Sequence, residues 1–137
     1  MAKLPEKISL EIVTPERQVI KALVDEVTLP ATQGYIGVLP GHAPLLTTLS
    51  VGIVSYRQKD KKQHLFLSGG FAEILPNKII VLAQIVEKPE EIDTERAKSS
   101  KQRAEQRLSS KDKNIDVDRV MASLKRALAR LEVSSKS

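Results

Sequence analysis

The first 87 residues alternate between short apolar runs and turn residues, a pattern that predicts β-strands. Runs such as SLEIVTP, EVTLPA and QHLFLS are rich in Val, Ile, Leu and Thr, and prolines and glycines separate them at close intervals. In EVTLPA, the apolar Val27 and Leu29 alternate with Glu26 and Thr28, as in a strand that is buried on one face. The run KIIVLAQIV is apolar on both faces, which places it at the centre of its sheet. Many short strands with regular turn signals predict an antiparallel sandwich or barrel.

Beyond Pro89 the apolar period lengthens to three or four residues, which predicts two helices. Pro89 suits the first helical position, and Glu90 and Glu91 suit the positive end of the helix dipole. Helix-forming residues continue to Leu108, where polar SSKDKN interrupts them. Asp116 is the predicted N-cap of the second helix. Its apolar stripe consists of Val117, Val120, Met121, Leu124, Ala127, Leu128 and Leu131.

The first helix has a thin apolar stripe, mainly Ala97, Ala104 and Leu108. Small side chains there would let the two helices pack closely as an antiparallel hairpin. Such a unit buries only a few side chains, each contributing about 1.5–3 kcal/mol. We therefore expect it to lean on the β domain or on a partner, and to exchange between them. The chain is thus divided into a β domain over residues 1–87 and a helical hairpin over residues 88–137.

The positive charge of the chain is concentrated in the predicted hairpin. The net charge is +5, with nine Lys and Arg against eight Asp and Glu in residues 1–87, and 13 against nine in residues 88–137. Partners of the hairpin should therefore be anionic, such as a nucleotide, a nucleic acid or an acidic protein surface. Aromatic residues make up only 3% of the chain, which argues against a protein that stacks single-stranded bases.

Motifs of catalysis, secretion and membrane insertion are missing from the sequence. There is no GxSxG, HExxH, P-loop or GxGxxG pattern, so no enzyme is expected. The start, MAKLPEKISL, lacks the apolar segment of a signal peptide, and no run approaches the ~18–20 residues that cross a bilayer. The absence of cysteine excludes disulfides and fits a reducing compartment. His42 and His64 lack metal-ligand spacing and are interpreted as structural, and Ser68-Gly69-Gly70 is interpreted as a turn or bulge between strands.

Arginines recur at helical spacing in both predicted helices. Asp93, Arg96, Arg103 and Arg107 fall within about a quarter of the first helix. A second set shares a face of the second helix, roughly opposite its apolar stripe: Arg119, Arg126 and Arg130. A solvated face explains this pattern, and geometry alone favours that interpretation. Converging guanidinium groups could instead bind phosphate oxygens in bidentate fashion.

Three segments resemble, in order and spacing, the ε subunit of bacterial F-type ATP synthases. They are YIGVLPGHAPLLTTLSVG, LFLSGGFAEILPNKIIVLAQ and EEIDTERAKSSKQRAEQRL. The resemblance covers nearly the whole chain and implies a sandwich of about ten antiparallel strands followed by a two-helix hairpin. It also implies a non-catalytic subunit of the central stalk, peripheral on the cytoplasmic face of the cell membrane, without an obligatory cofactor or metal.

The resemblance also implies partners within the synthase. The sandwich would bind the γ subunit and the c-ring, with Tyr35 and His42 of the segment 34–44 as candidate contacts. Tyr35 stands where many relatives carry Glu or Gln. The hairpin would lie folded on the sandwich, or extend along γ into the catalytic α/β head and inhibit ATP hydrolysis. Candidates for a contact with an acidic segment of a β subunit are Arg119, Lys125, Arg126 and Arg130.

The segment IDTERA matches the I/L-D-x-x-R-A motif of family members that bind ATP as a regulatory ligand in the folded form. The residues that resemble this site are Glu87, Ile92, Asp93, Arg96, Ala97, Arg103, Arg126 and Arg130. Bound ATP would then favour the folded hairpin. The alternative is a free-standing nucleic-acid-binding module that uses the basic hairpin. Such a module would bind oligonucleotides with a log-linear dependence on salt, and the mixed charges of the hairpin argue against it.

Overall fold

The computed structural model describes residues 5–136, so residues 1–4 and 137 of the two predicted domains lie outside the described residues. The β part comprises β1 (Ile8–Val13), β2 (Gln18–Val24), β3 (Glu26–Ala31), β4 (Gly34–Val38), β5 (Leu45–Leu49), β6 (Gly52–Gln58), β7 (Lys61–Leu75) and β8 (Lys78–Glu87). A 3-10 turn (Pro89–Glu91) follows, and then α1 (Thr94–Ser109) and α2 (Val117–Ser135). An all-β sandwich followed by a helical hairpin is therefore confirmed.

The 15-residue strand β7 joins the two layers of the sandwich. The strands follow the order β2-β1-β8-β7-β5-β3-β4, and β6 pairs with both β3 and β7. The first half of β7 pairs with β6 and its second half with β5. Between the halves, Gly69 and Gly70 adopt positive φ angles of 68° and 145°. Only glycine visits such conformations freely, so the strand can bend there and pass from one layer to the other.

The strand count and the pairing differ from the sequence-based prediction. The described residues form eight strands, where about ten were predicted. One reason is that Ser68-Gly69-Gly70 is a bend within the continuous β7, and not a break between two strands. In addition, β1 and β8 pair in parallel, with Ser9 opposite Lys78, so the sandwich is not wholly antiparallel.

Strand β8 occupies the predicted central position, between β1 and β7. Its inward residues Ile79 and Val81 are fully buried in the main core, together with residues of every other strand of the sandwich. The outward face differs from the prediction of burial on both sides. There Leu82 is 54% exposed and lies opposite Phe71 of β7, which is 55% exposed. The sheet therefore keeps an uncovered apolar patch on its outer surface.

Helix α1 begins at Thr94, so the prediction that it begins at Pro89 was wrong. Pro89–Glu91 form a separate 3-10 turn, and Ile92 and Asp93 then have extended backbone. Asp93 is the N-cap, since its Oδ1 accepts a hydrogen bond from the backbone N–H of Arg96 at 3.0 Å. The predicted N-cap of α2 is confirmed, because Asp116 Oδ1 accepts from the backbone N–H of Arg119 at 3.1 Å.

The hairpin is folded against the sandwich. Small buried residues lie where the helices pack, namely Ala97, Ala104, Val120 and Ala127. A second apolar cluster, the docking cluster, joins the hairpin to β6 and β7 and consists of Ile53, Phe66, Ile92, Ala129 and Val133. Ala129 and Val133 were not in the predicted stripe of α2. Conversely, three members of that stripe are about half exposed, namely Val117, Met121 and Leu128.

Candidate functional site

A cavity of about 350 Å³ opens between the end of β8 and the two helices. Its walls carry three carboxylates, Glu87, Glu91 and Asp93, and three arginines, Arg96, Arg126 and Arg130. Ser100 and Ser123 add hydroxyl groups, and Ala97 and Ala127 leave the space between the helices open. We call this the proximal cavity, because it lies next to the sandwich.

Helical spacing explains how the two helices supply these groups. On α1, Arg96 and Ser100 are four residues apart, so they lie on one face. On α2, the same holds for Arg126 and Arg130, with Ser123 one turn earlier. Each helix therefore presents polar side chains to the proximal cavity, next to the alanines Ala97 and Ala127.

The ion pair between Arg130 and Glu87 connects α2 to the end of β8. Arg130 Nε donates to Glu87 Oε1 at 2.8 Å, and Nη2 donates to Oε2 at 3.4 Å. Both side chains are about three-quarters buried. The guanidinium carbon of Arg130 also lies 4.3 Å from the centroid of the Phe66 ring, which is cation–π geometry. Arg130 is thus held in place in the folded hairpin.

Glu91 connects the root of the hairpin to the turn between β1 and β2. Its Oε1 accepts from the backbone N–H of Lys88 at 2.9 Å, and its carboxylate accepts from Arg17 Nη2 at 2.7 Å. The Lys88 backbone hydrogen bond, followed by the hydrogen bond and charge of Arg17, holds the pKa of Glu91 below its ordinary value against the effect of burial. Glu91 therefore remains an ionised acceptor on the cavity wall.

The remaining arginines of the two helices form no ion pair among residues 5–136. Arg96 and Arg126 form no ion pair there, and Arg103 Nη2 donates to Ser100 Oγ at 3.2 Å. Beside the proximal cavity lies a second cavity of about 260 Å³, the distal cavity, which shares Ser100, Ser123 and Arg126 with it. Its walls also carry Arg103, Arg107 and Arg119 and no carboxylate. The arginines of the two helices thus line the same cavities. A solvated helix face would explain their spacing along each helix, but not this convergence.

The proximal cavity brings together six of the eight residues predicted for ATP binding, namely Glu87, Asp93, Arg96, Ala97, Arg126 and Arg130. Ile92 lies outside it, buried in the docking cluster. Arg103 lines the distal cavity. Sequence reasoning missed Glu91, Ser100, Ser123 and Ala127. Each serine lies one helical turn from an arginine, Ser100 from Arg96 and Ser123 from Arg126, but this spacing does not reveal that the two helices face each other.

The four residues predicted to contact a β subunit lie on α2. Arg119, Arg126 and Arg130 face the groove in the folded hairpin. Lys125 is exposed and lines neither cavity. In the folded hairpin Arg119 and Lys125 are exposed, whereas Arg126 and Arg130 are half-buried. The contact itself stays a prediction.

The two residues predicted to contact the rotor lie near the β4 edge of the sheet. Tyr35 is exposed, but its hydroxyl accepts a hydrogen bond from the backbone N–H of Ile53 at 2.9 Å. His42 follows β4, and its Nδ1 lies 2.6 Å from the carbonyl oxygen of Ala43. Exposed leucines surround this segment, namely Leu39, Leu45 and Leu46. His64 lies elsewhere, on β7, where its Nδ1 is 2.7 Å from Ser55 Oγ.

Residues 5–136 offer neither a cluster of metal ligands nor a helix that could span a membrane. No group of three or more His, Asp and Glu side chains in that range is placed to bind a metal ion. Within the same residues, neither α1 nor α2 has the apolar length that a membrane span requires.

Comparisons with known proteins assign residues 7–135 to one family. Residues 7–89 match the family described as ATP synthase, Delta/Epsilon chain, beta-sandwich domain, and residues 90–135 match the long alpha-helix domain of the same description. The chain is 47% identical to the ATP synthase epsilon chain of Koribacter versatilis, over 78% of this chain and 75% of that one. It is 49% identical to the epsilon chain of Carboxydothermus hydrogenoformans, over 77% and 79%.

A solved structure shares the fold. A chain of the mitochondrial ATP synthase of Euglena gracilis, solved as an OSCP/F1/c-ring complex, matches with a TM-score of 0.82 at 23% identity. The match covers 98% of this chain and 84% of that chain.

Proposed function

The chain belongs to the family of ATP synthase delta/epsilon chains, and from that membership we propose that its helical hairpin regulates the synthase in response to ATP. As an epsilon chain it is a central-stalk subunit of ATP synthase and not a catalytic one. Its finer role concerns two surfaces, the outer face of the sandwich and the groove of the hairpin.

The sandwich attaches the protein to the rotor in this proposal. The uncovered pair Phe71 and Leu82 offers an apolar surface that a partner protein would cover. The segment with Tyr35, His42 and the exposed Leu46 offers a second one. We assign these surfaces to the γ subunit and the c-ring, which would hold the chain at the cytoplasmic face of the cell membrane without inserting it. The chain then contributes to coupling ion flow to ATP synthesis.

One observation carries the nucleotide proposal, namely the convergence of carboxylates and arginines in the proximal cavity. Carboxylate oxygens accept hydrogen bonds from an adenine amino group or ribose hydroxyls, and arginines bind phosphate oxygens in a planar fork. Because Glu87, Arg96 and Arg126 lie on β8, α1 and α2, one ATP would contact all three elements. It would then stabilise the folded state by RT ln(1 + [L]/Kd), about 2.7 kcal/mol at a hundredfold excess of ligand.

The same arginines explain why the regulation would have two states. Arg126 and Arg130 line the proximal cavity in the folded hairpin and are half-buried there. In an extended hairpin they would be free, with Arg119 and Lys125, to contact an acidic segment of a β subunit and block ATP hydrolysis. One arginine cannot serve both contacts at once. High ATP would therefore favour the uninhibited state, and falling ATP would favour inhibition.

The test is an ATP titration of the isolated protein, followed by calorimetry and by thermal unfolding. Arg126→Gln should weaken ATP binding by about tenfold or more, since a hydrogen bond to a charged group contributes about 1.5–3 kcal/mol. Lys125→Gln is the matched control, because it removes the same charge from the neighbouring position outside both cavities. It should bind ATP like the wild type.

Two results would contradict this proposal. One is the absence of binding heat at millimolar ATP, and the other is equal affinity in Arg126→Gln and Lys125→Gln. An oligonucleotide titration at several salt concentrations tests the alternative function. A nucleic-acid-binding module would lose affinity log-linearly with salt, whereas we expect no specific complex.

A further inference from the structure

Two ion pairs lie at the base of the hairpin, and they join different parts of the chain. The pair between Arg130 and Glu87 joins α2 to β8. The pair between Arg17 and Glu91 joins the turn after β1 to the 3-10 turn that precedes α1. Neither Arg17 nor Glu91 belongs to a helix of the hairpin. Release of α1 and α2 from the sandwich would therefore break the first pair, but it would not require the second pair to break.

The Arg17 side of the second pair is held by a closed turn of the sandwich. The backbone N–H of Thr14 donates to the carbonyl oxygen of Arg17 at 2.9 Å. Thr14 Oγ1 accepts from the backbone N–H groups of Glu16 and Arg17 at 3.4 and 3.3 Å. Because hydroxyl groups that bind the local backbone in this way fix the shape of a turn, the Arg17 side chain leaves the sandwich from a defined point.

The Glu91 side of the pair is held by its own 3-10 turn. The backbone N–H of Glu91 donates to the carbonyl oxygen of Lys88 at 2.9 Å, and Glu91 Oε1 accepts from the backbone N–H of Lys88 at the same distance. Arg17 Nη2 then donates to both carboxylate oxygens of Glu91, at 2.9 and 2.7 Å. Pro89, whose ring fixes its φ angle, starts the turn. The 3-10 turn is thereby fixed to the sandwich.

Ile92 and Asp93 are the first residues beyond this attachment. Both have extended backbone between the 3-10 turn and α1, and together they span at most about 7 Å. Ile92 is held only by its burial in the docking cluster. Beyond them the two helices are joined to each other, since Thr94 Oγ1 lies 2.8 Å from Ser134 Oγ near the end of α2. The hairpin would therefore move as one body on a short connection.

We propose that Arg17 is a positioning residue that clamps Glu91 to the sandwich in both states of the hairpin, so that the hairpin opens by pivoting at Ile92 and Asp93. This inference rests on the proposed release of the hairpin and adds the point at which the chain turns. Without the clamp, residues 88–93 would all be free to turn, over a span of up to about 20 Å. The clamp thus fixes the place from which α1 leaves the sandwich.

The test compares Arg17→Gln with Arg130→Gln in the full chain by hydrogen exchange, without nucleotide. Arg130→Gln removes a contact between α2 and β8, so amides of α1 and α2 should lose protection by about tenfold or more. The amide of Glu91 should stay within about twofold of the wild type there, since a contact made equally in both states shifts nothing. Arg17→Gln should lower the protection of the Glu91 amide several-fold, as expected of a partly exposed ion pair. Lys21→Gln, which removes the same charge from an exposed position of β2, is the control and should change neither.

A chemical cross-link tests the pivot independently, because the chain has no cysteine of its own. Arg17→Cys/Glu91→Cys, joined by a short bismaleimide, should leave the protection of α1 and α2 within about twofold of the wild type, since this contact would persist in the open state. Glu87→Cys/Arg130→Cys, joined in the same way, should raise that protection to the level of the sandwich core. If the first cross-link slowed exchange of the helices as much as the second, the pivot would be overturned.

The remaining outcomes separate this inference from the proposed regulation. If Arg130→Gln lowered the protection of Glu91 as much as that of α1, the 3-10 turn would leave with the hairpin, and the pivot would fail although the hairpin opens. Unchanged protection of Glu91 in Arg17→Gln would overturn the clamp alone. If α1 and α2 exchanged only together with the sandwich core in every variant, the hairpin would not open by itself, and both the pivot and the proposed regulation would fail.

Discussion

Gly70 occupies a point of β7 where the backbone of β8 leaves no room for a side chain. A Cβ atom there would lie 2.1 Å from the carbonyl oxygen of Leu82, and the φ angle is 145°. We expect Gly70→Ala to lower the free energy of unfolding of the sandwich by roughly 2–4 kcal/mol, since strained backbone and overpacking add. Denaturant unfolding followed by circular dichroism measures it.

Gly37 is the matched control for Gly70. A Cβ atom at Gly37 meets no atom within 4 Å, and the residue does not have a positive φ angle. Gly37→Ala should therefore change the free energy of unfolding by less than about 1 kcal/mol. Equal stability of the two alanine variants would show that β8 leaves room for a side chain at position 70, and would contradict the close contact between β7 and β8.

Residue chemistry that acts locally was predictable from the sequence, and chemistry that depends on the tertiary fold was not. The cap at Asp116 was predicted because it needs only the neighbouring backbone. The rotor contact of Tyr35 stays a prediction, whereas the hydrogen bond between its hydroxyl and the backbone N–H of Ile53, 18 residues away, was not predicted. Ser100 and Ser123 matter only because two helices meet. No local rule for a serine in a helix reveals that.

Two residues at the end of α2, Glu132 and Lys136, act on the charge of His64 of β7. His64 Nδ1 binds Ser55 Oγ of β6, and its pKa is lowered, chiefly by burial and then by Lys136 and Lys62, whereas Glu132 raises it. Lys136 at the end of α2 lowers the pKa of His64 more than Glu132 raises it, so protonation of His64 favours the state in which α2 has left the sandwich. The docking of α2 should be strongest above about pH 6.5 and weaken as the pH falls toward the folded-state pKa.

Hydrogen exchange measures this pH dependence. Protection factors of α2 amides should fall between about pH 7.5 and 5.5 in the wild type, relative to those of the sandwich core. His64→Gln should abolish this fall in the protection of α2, because glutamine does not titrate. His42→Gln, in the segment after β4, should retain it. A pH dependence that persists in His64→Gln would assign the effect to another group.

The elements themselves were predicted with uneven success, and the failures have physical reasons. Helix α1 began later than predicted because Asp93 caps it, while Pro89 starts a short turn of its own. Strand β7 was divided in the prediction because two glycines usually mark a turn, whereas here they bend one strand. The apolar stripe of α2 was predicted from the helical period alone, and the period does not show which side of the helix packs on the sandwich.

The docking cluster controls how firmly the hairpin is held on the sandwich. Val133 is fully buried among Ile53, Phe66, Ile92 and Ala129. Val133→Ala removes two methyl-sized groups, so docking should weaken by about 1.5 kcal/mol at ~0.8 kcal/mol each. Amides of α1 and α2 should lose protection while those of the sandwich core keep theirs. Leu128→Ala, at an exposed position of the same helix, is the control and should have little effect.

One result would contradict this division of the molecule. If Val133→Ala lowered protection equally in the sandwich and the hairpin, the two would unfold as one cooperative unit. The expectation of separate opening rests on the small size of the docking cluster, since few buried apolar contacts characterise regions that open locally.

At the scale of the whole molecule, the two halves were predictable because the apolar period changes near Pro89. The groove was not, since it depends on contacts between distant parts of the chain. Glu87 and Arg130 are 43 residues apart, and Arg17 and Glu91 are 74 apart. The candidate residues came from the family resemblance, and their convergence came from the fold.

The parallel pairing of β1 and β8 has a consequence for synthesis on the ribosome. Strand β8 is the last strand of the sandwich to emerge, yet it lies between β1 and β7. The paired strands β1 and β2 therefore lack their inner neighbour, β8, until residue 87 has been synthesised. At about 5–20 residues per second, the nascent sandwich would expose apolar strand surface for several seconds. The hairpin follows last and meets a surface that is already folded.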